Sequence, residues 1–80
     1  MSEIASCHKV IGIKQSGRAL REGRARKVLL ACDADPALLA DIEALCMEGS
    51  VPVEKDATMR ELGLSAGIAV GASVIALLRD

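Results

Sequence analysis

The sequence predicts an α/β fold, a small sheet covered by short helices. Three observations predict it. Short apolar runs at Val10-Ile11, Lys27–Cys32 and Val51–Val53 alternate with stretches of helical periodicity. Asp35-Pro36 in mid-chain is a helix start signal, with aspartate as N-cap and proline at the first helical position. The chain has 80 residues, 51% of them hydrophobic, which supports one packed domain over 1–80 and leaves little room for a deep catalytic cleft.

Taken in order, Val10-Ile11 is a short strand that ends at Gly12. Residues 14–23 form a helix closed by Gly23. On its wheel, Ile13, Gly17 and Leu20 share one stripe, and Lys14, Arg18 and Arg21 share another about 100° round from it. One side packs while its neighbour faces outward. Lys27–Cys32 is a buried strand centred on Val28-Leu29-Leu30. The helix opened by Asp35 runs to Glu48 and stops at Gly49, with Leu38, Leu39, Ile42, Leu45 and Cys46 as its apolar face. Val51-Pro52-Val53 is a strand near an edge, because proline cannot donate to a ladder. Asp56 starts a short helix with Leu62 near its end.

From Leu62 to Leu78 no residue is charged, and Gly63, Gly67 and Gly71 recur every four positions. As one helix this stretch would be a short membrane span with a small-residue face. Each glycine, however, weakens a helix by about 1 kcal/mol relative to alanine. The glycines also isolate Ala72–Leu78 as an apolar run that fits a buried strand as well as a helix.

The formal net charge of −1 conceals an asymmetry. Residues 1–40 carry seven basic and four acidic side chains, and residues 41–80 carry three and seven. All seven basic residues of the first half lie between Lys9 and Lys27, opposed there only by Glu22. Such a stretch is either a solvated helix face or a footprint for phosphate. With no Phe, Tyr or Trp, modules that stack bases on aromatic side chains are excluded. The three cysteines, Cys7, Cys32 and Cys46, form no Cys-x-x-Cys pair and follow no secretory signal. A cytoplasmic protein is expected, with Cys32 and Cys46 as small buried hydrophobes. Zinc at Cys7-His8 would need two more ligands at no recognisable spacing.

Asp33-Ala34-Asp35 follows a strand, a position where acidic residues can hold a metal or take a phosphoryl group. No partner lysine or nucleophile motif accompanies it, and Asp35 already has a capping role. Ser16, Ser65 and Ser73 lack a nucleophile-elbow setting, and Gly12 lacks the rest of a phosphate loop. No enzyme activity, metal or cofactor is expected. The strongest constellation is Gly12-Ile13-Lys14-Gln15-Ser16-Gly17-Arg18. Gly12 permits an unusual turn, and the helix that starts there aims free N–H groups at an anion. Lys14 and Gln15 on the first turn can reach base edges, and Arg18 one turn on can fork onto a phosphate.

These residues resemble a known family. Gly12-Ile13-Lys14-Gln15-Ser16, Ala31-Cys32-Asp33-Ala34-Asp35-Pro36 and Leu62-Gly63-Leu64-Ser65-Ala66-Gly67-Ile68 are similar to three motifs of the kink-turn RNA-binding ribosomal proteins. These are the archaeal L-seven-Ae family, its eukaryotic relatives and the short bacterial YbxF-type members, which the chain resembles most. The resemblance spans Val10 to Leu78. It implies a three-layer α/β/α sandwich with a small mixed four-stranded sheet in which Ala72–Leu78 is a central strand. It also implies roles. Gly12 opens the RNA-binding helix, and Lys14 and Gln15 contact the guanines of tandem sheared G·A pairs. Arg18 contacts the backbone, with Arg21 on the same basic stripe. Asp35 lies near a flipped-out nucleotide, and Ile68, Ala69 and Val70 form a loop that packs on unpaired bases. Ser65-Ala66 stands in place of Ala-Cys, Ala69 in place of a frequent glutamate, and Arg18 in place of lysine.

The expected partner is therefore structured RNA with kink-turns, in ribosomal or riboswitch-like RNA, bound by a monomer with no membrane contact. Two other readings of the residues remain at this point: a protein–protein adaptor that uses the acidic second half, and the membrane span.

Overall fold

The computed structural model describes residues 8–68 and 70–79. Seven elements follow one another: β1 (Lys9–Ile11), α1 (Ile13–Arg21), β2 (Ala25–Ala31), α2 (Pro36–Glu48), β3 (Val53–Ala57), α3 (Met59–Ser65) and β4 (Val74–Leu78). The strands form one sheet in the order β1-β4-β2-β3. β4 runs antiparallel to β1 and β2, and β3 runs parallel to β2. The sheet is thus mixed and four-stranded, and the strand formed last in sequence occupies an interior position.

Side chains alternate across a strand, and the two central strands are apolar on both faces. Val28 and Leu30 of β2 and Val74 and Ala76 of β4 join Ala19 of α1 and Leu39, Ile42 and Cys46 of α2 in one core. Leu29 and Ala31 of β2 and Ile75 and Leu77 of β4 join Leu62 of α3 and Ala72 in a second core on the opposite face. The layers are α1 with α2, the sheet, and α3. Each fully buried Leu, Ile or Val contributes about 1.5–3 kcal/mol, and Val28, Leu30, Ile42, Leu62, Val74, Ile75 and Leu77 all reach that state.

α2 begins as its sequence signal predicts: the Asp35 carboxylate accepts the Ala37 N–H at 2.9 Å, and Pro36 takes the first turn. Small residues let α1 lie close to its neighbours. Ser16, Gly17 and Ala19 are buried, and a Cβ built on Gly17 would meet Ile42 and Leu45 at 3.5 and 3.9 Å. The Ser16 hydroxyl has no hydrogen-bond partner among the described residues.

Several expectations need correction. The first helix is Ile13–Arg21 rather than 14–23, and Gly23, at φ 70, lies in the turn beyond it. The second strand is Ala25–Ala31 rather than Lys27–Cys32. β3 is an edge strand as expected, but it covers Val53–Ala57, with Pro52 just before it. Asp56 is therefore a strand residue and caps nothing. The charges of Glu54, Lys55 and Asp56 hide this strand from a hydrophobic pattern, because its side chains face solvent. Thr58 is the true cap of α3. Its hydroxyl accepts the Glu61 N–H at 3.1 Å, and the Glu61 carboxylate accepts the Thr58 N–H at 2.9 Å, a capping box. Leu38 is 56% exposed and does not belong to the packed face of α2. Cys32 is exposed, whereas Cys46 is buried as expected. The uncharged stretch 62–78 divides into the end of α3, a loop and β4. Among the described residues no helix is long and apolar enough to cross a membrane.

Two glycines are structurally demanding. Gly12, between β1 and α1, has φ 104 and ψ 158, a region nearly confined to glycine. Gly63 of α3 lies against the backbone that leads back to the sheet: a Cβ there would stand 2.2 Å from the Val70 carbonyl oxygen.

Three outcomes follow from these contacts. Gly63→Ala forces Val70 and Gly71 off α3 and lowers stability by about 1–3 kcal/mol in urea unfolding. Gly12→Ala meets no atom within 4 Å, so its cost is backbone strain alone, about 1–3 kcal/mol by the same measurement. Burial, and after it the charge of Glu43, raise the Cys46 thiol above its ordinary value. The folded state therefore keeps this proton to higher pH than the unfolded chain does. The associated stability is complete below the unfolded thiol range, roughly pH 8.5, and is lost as pH rises through the raised folded value. Unfolding midpoints measured across alkaline pH should fall less steeply in Cys46→Ala, and native-state alkylation mapped by mass spectrometry should mark Cys32 while sparing Cys46.

Candidate functional site

The strand directions bring four chain segments to one end of the sheet. β1 and β2 both finish beside the start of β4, since Ile11 pairs with Ile75 and Leu30 with Val74. β3 runs parallel to β2 and finishes there too. The start of α1, the β2–α2 turn, the start of α3 and the loop before β4 therefore meet.

Backbone hydrogen bonds stitch these segments together. The Gly12 N–H donates to the Val74 carbonyl at 2.9 Å, and the Ala31 N–H donates to the Ser73 carbonyl at 2.9 Å. The Cys32 N–H donates to Ala57 at 2.8 Å, and the Ala72 N–H donates to Met59 at 3.0 Å. One side chain joins them: the Asp33 carboxylate accepts the Met59 N–H at 2.8 Å, across 26 positions of sequence.

On this frame Lys14 and Gln15 occupy the first turn of α1, both exposed, just beyond Gly12. The free N–H groups of that turn carry partial positive charge. Arg18 and Arg21 are exposed one and two turns on. Arg18 Nε bonds Glu22 at 3.3 Å, and Arg24 holds the other oxygen of Glu22 at 2.9 Å. Both are surface pairs of small energy, well under 1 kcal/mol in the usual case, and an anion can compete for the guanidinium groups. Asp35 is exposed and bound to its own helix as N-cap. Ile68 is half-buried and Val70 is 70% exposed. Ala69 lies outside the described residues.

The loop lies on α3 through the Ile68 N–H to Gly63 carbonyl bond at 3.0 Å and the Gly67 N–H to Leu64 carbonyl bond at 3.1 Å. Beside it is a groove of about 490 Å³ lined by Asp33, Met59, Arg60, Leu64, Ile68, Val70 and Gly71. Leu64 is 67% exposed. The basic turn of α1 and an aliphatic, partly exposed loop thus share one end of the sheet, suited to an anion joined to flat apolar groups. Asp33 does not act with Asp35 here, because each carboxylate bonds a different helix start. Among the described residues no group of three or more His, Cys, Asp or Glu could hold a metal.

Met59 and Arg60 escape the sequence reading, and Leu64 enters it only within the third motif, although two signals point at Leu64 and Arg60. Leu62 and Leu64 stand two apart on a helix and cannot share a buried face. Arg60 is the one cation between Lys55 and Arg79.

Comparison with known proteins gives the family and supports the fold. The family model "Ribosomal protein L7Ae/L30e/S12e/Gadd45 family" matches residues 6–80. The chain is 46% identical over 70 residues to "RNA-binding protein YbxF" of Geobacillus stearothermophilus, covering 88% of this chain and 85% of that one. It is 38% identical over 69 residues to an "RNA-binding protein" of Bacillus pumilus, covering 86% and 84%. The solved structure titled "Giardia lamblia 15.5kD RNA binding protein" superimposes with a TM-score of 0.88 at 20% identity, over 99% of this chain and 67% of that one, and supports the fold. The matched span covers β1 through β4 with the whole sheet end described above, and the chain belongs to the ribosomal protein L7Ae/L30e/S12e/Gadd45 family.

Proposed function

We propose that this protein binds structured RNA at the sheet end and stabilises kink-turns in it, without catalysis. The observation that carries the reading is the placement of exposed Lys14 and Gln15 on the first turn of α1, beside the aliphatic loop that holds Ile68 and Val70. The printed names of the bacterial relatives as RNA-binding proteins support it. An ordinary A-form major groove is too narrow for side chains to read. A kink that opens the groove makes guanine edges accessible to Lys14 and Gln15, while Arg18 and Arg21 meet phosphates. Ile68, Ala69 and Val70 cover unpaired bases, with Asp35 near a flipped-out nucleotide. Aliphatic contact replaces the aromatic stacking this chain cannot make.

Binding of this kind selects the kinked conformer, because a ligand shifts an equilibrium by its differential affinity for the two states. The protein acts as a monomer in the cytoplasm, on ribosomal or riboswitch-like RNA.

A gel-shift comparison tests the reading. The protein should bind an RNA with tandem sheared G·A pairs far more tightly than the same RNA with those pairs replaced by Watson–Crick pairs; equal affinity sinks the proposal. With about four or five phosphates neutralised, log K should fall against log salt with a slope near −3 to −4, and Arg18→Ala should make that slope about one unit shallower.

A further inference from the structure

Asp33 has no place in the contacts proposed above, yet its side chain makes a hydrogen bond across 26 positions of sequence. We propose that Asp33 is a positioning residue: it sets the loop residues Ile68, Val70 and Gly71 against the basic turn of α1 without touching RNA. The proposal rests on the kink-turn reading of this surface.

The mechanical chain is short. β2 ends at Ala31, whose N–H is fixed to Ser73. Two residues on, the Asp33 carboxylate holds the Met59 N–H at 2.8 Å. Met59 is the first residue of α3, so its N–H has no acceptor within the helix. The carbonyl of the same residue accepts the Ala72 N–H at 3.0 Å, where the loop rejoins the sheet. Gly71 packs on Met59 too, with a Cβ position 3.3 Å from the Met59 backbone oxygen.

The other end of the loop rests on the same helix. Ile68 N–H bonds the Gly63 carbonyl, and the Val70 carbonyl lies directly over Gly63. α3 and its loop therefore move as one unit, and Met59 is where that unit is pinned. The pin is charge-assisted, which makes it roughly twice as strong as a neutral hydrogen bond. Asp33 also lines the groove of about 490 Å³ together with Ile68 and Val70. Aliphatic side chains contact a base only at close range, so a small displacement of the unit forfeits much of the contact.

Four variants test the pin: Asp33→Ala, Asp33→Asn, Met59→Pro and Met59→Ala. Asn keeps an acceptor oxygen at position 33. Proline at the first helical position removes the donor while suiting the helix, and Thr58 before it, at φ −79 and ψ 167, already has the backbone that precedes proline. Met59→Ala keeps the N–H and controls for the lost side chain.

In the free protein, amide exchange at Ile68 and Ala72, whose N–H groups bond Gly63 and Met59 of α3, should accelerate roughly tenfold in Asp33→Ala and in Met59→Pro, relative to wild type and to Met59→Ala. Unchanged loop exchange in a folded Asp33→Ala overturns the positioning role whatever the RNA result. On kink-turn RNA, Asp33→Ala should raise the dissociation rate roughly tenfold with the association rate and salt slope held. Asp33→Asn should stay within about twofold of wild type, and Asp33→Ala with Met59→Pro should lose no more than either alone.

On the same RNA with abasic sites at its unpaired nucleotides, wild type and Asp33→Ala should bind alike. An equal loss on both RNAs, or a loss in Asp33→Asn as large as in Asp33→Ala, overturns the proposal. Wild type that ignores the sheared pairs overturns the kink-turn reading instead, and loop exchange still decides the pin. If Asp33→Ala does not fold, Met59→Pro carries both measurements.

Discussion

The constraint on which the rest of the structure depends is the placement of β4 between β1 and β2. Val74, Ile75, Ala76 and Leu77 are all fully buried, so this strand is apolar on both faces and cannot lie at an edge or on the surface. Its insertion as an antiparallel partner of two earlier strands divides the core into two faces. α1 and α2 cover one, α3 covers the other, and neither face could close without it. Such a strand must also pair late in sequence with distant partners, and those non-local contacts carry an entropic cost that only complete burial offsets.

The same strand makes the site. The backbone at its start holds Gly12 through Val74 and Ala31 through Ser73. The basic helix turn and the loop before β4 are consequently neighbours, although more than fifty residues separate them. The positive φ of Gly12 belongs to this arrangement, because the chain must leave β1, keep a fixed hydrogen bond to Val74 and turn directly into α1. Only glycine takes this conformation without strain, so a side chain at position 12 would strain the turn that joins β1 to α1.

How much of this was legible in the sequence depended on the kind of residue. α2 was readable from its first residue to its last, because Asp35, Pro36 and Gly49 are local signals that act within one helical turn. β2 was readable in its centre and short at its beginning, where Ala25 and Arg26 carry no strong preference. β3 was largely hidden. An exposed edge strand with Glu54, Lys55 and Asp56 shows no apolar pattern, so Asp56 passed for a helix cap while Thr58 and Glu61 form the real one. Ala72–Leu78 read as an apolar run but not as a central strand; its neighbours are set by tertiary pairing, and the family resemblance supplied what periodicity could not. Around α1, helix spacing alone puts Lys14, Arg18 and Arg21 on one outward stripe, and Gln15 enters through its place on the first turn, where the structure leaves all four exposed. Asp33, Met59 and Arg60 were not legible, because their association spans 26 residues and exists only once the sheet has formed.

Charge and burial together explain why a chain with net charge −1 can present a basic surface. The acidic residues of the second half lie mainly on α2 and β3, where Glu43 pairs with Lys55 and Glu54 with Lys27 at 2.6 Å. β3 and β1 are opposite edges of the sheet, and α1 follows β1. The carboxylates thus concentrate toward one edge and the α1 cations toward the other, so the mean charge describes neither. Screening removes most of the interaction between exposed charges farther apart than about 8–10 Å at physiological salt. An anion at the start of α1 therefore responds to Lys14, Arg18, Arg21 and the helix N–H groups far more than to the acidic edge. With only these few cations, non-specific attraction to a polyanion stays weak. On a surface with so few cations, the attachment of the loop to α3 at Gly63, and of α3 to the β2–α2 turn through Asp33, fixes the shape that a partner must fit.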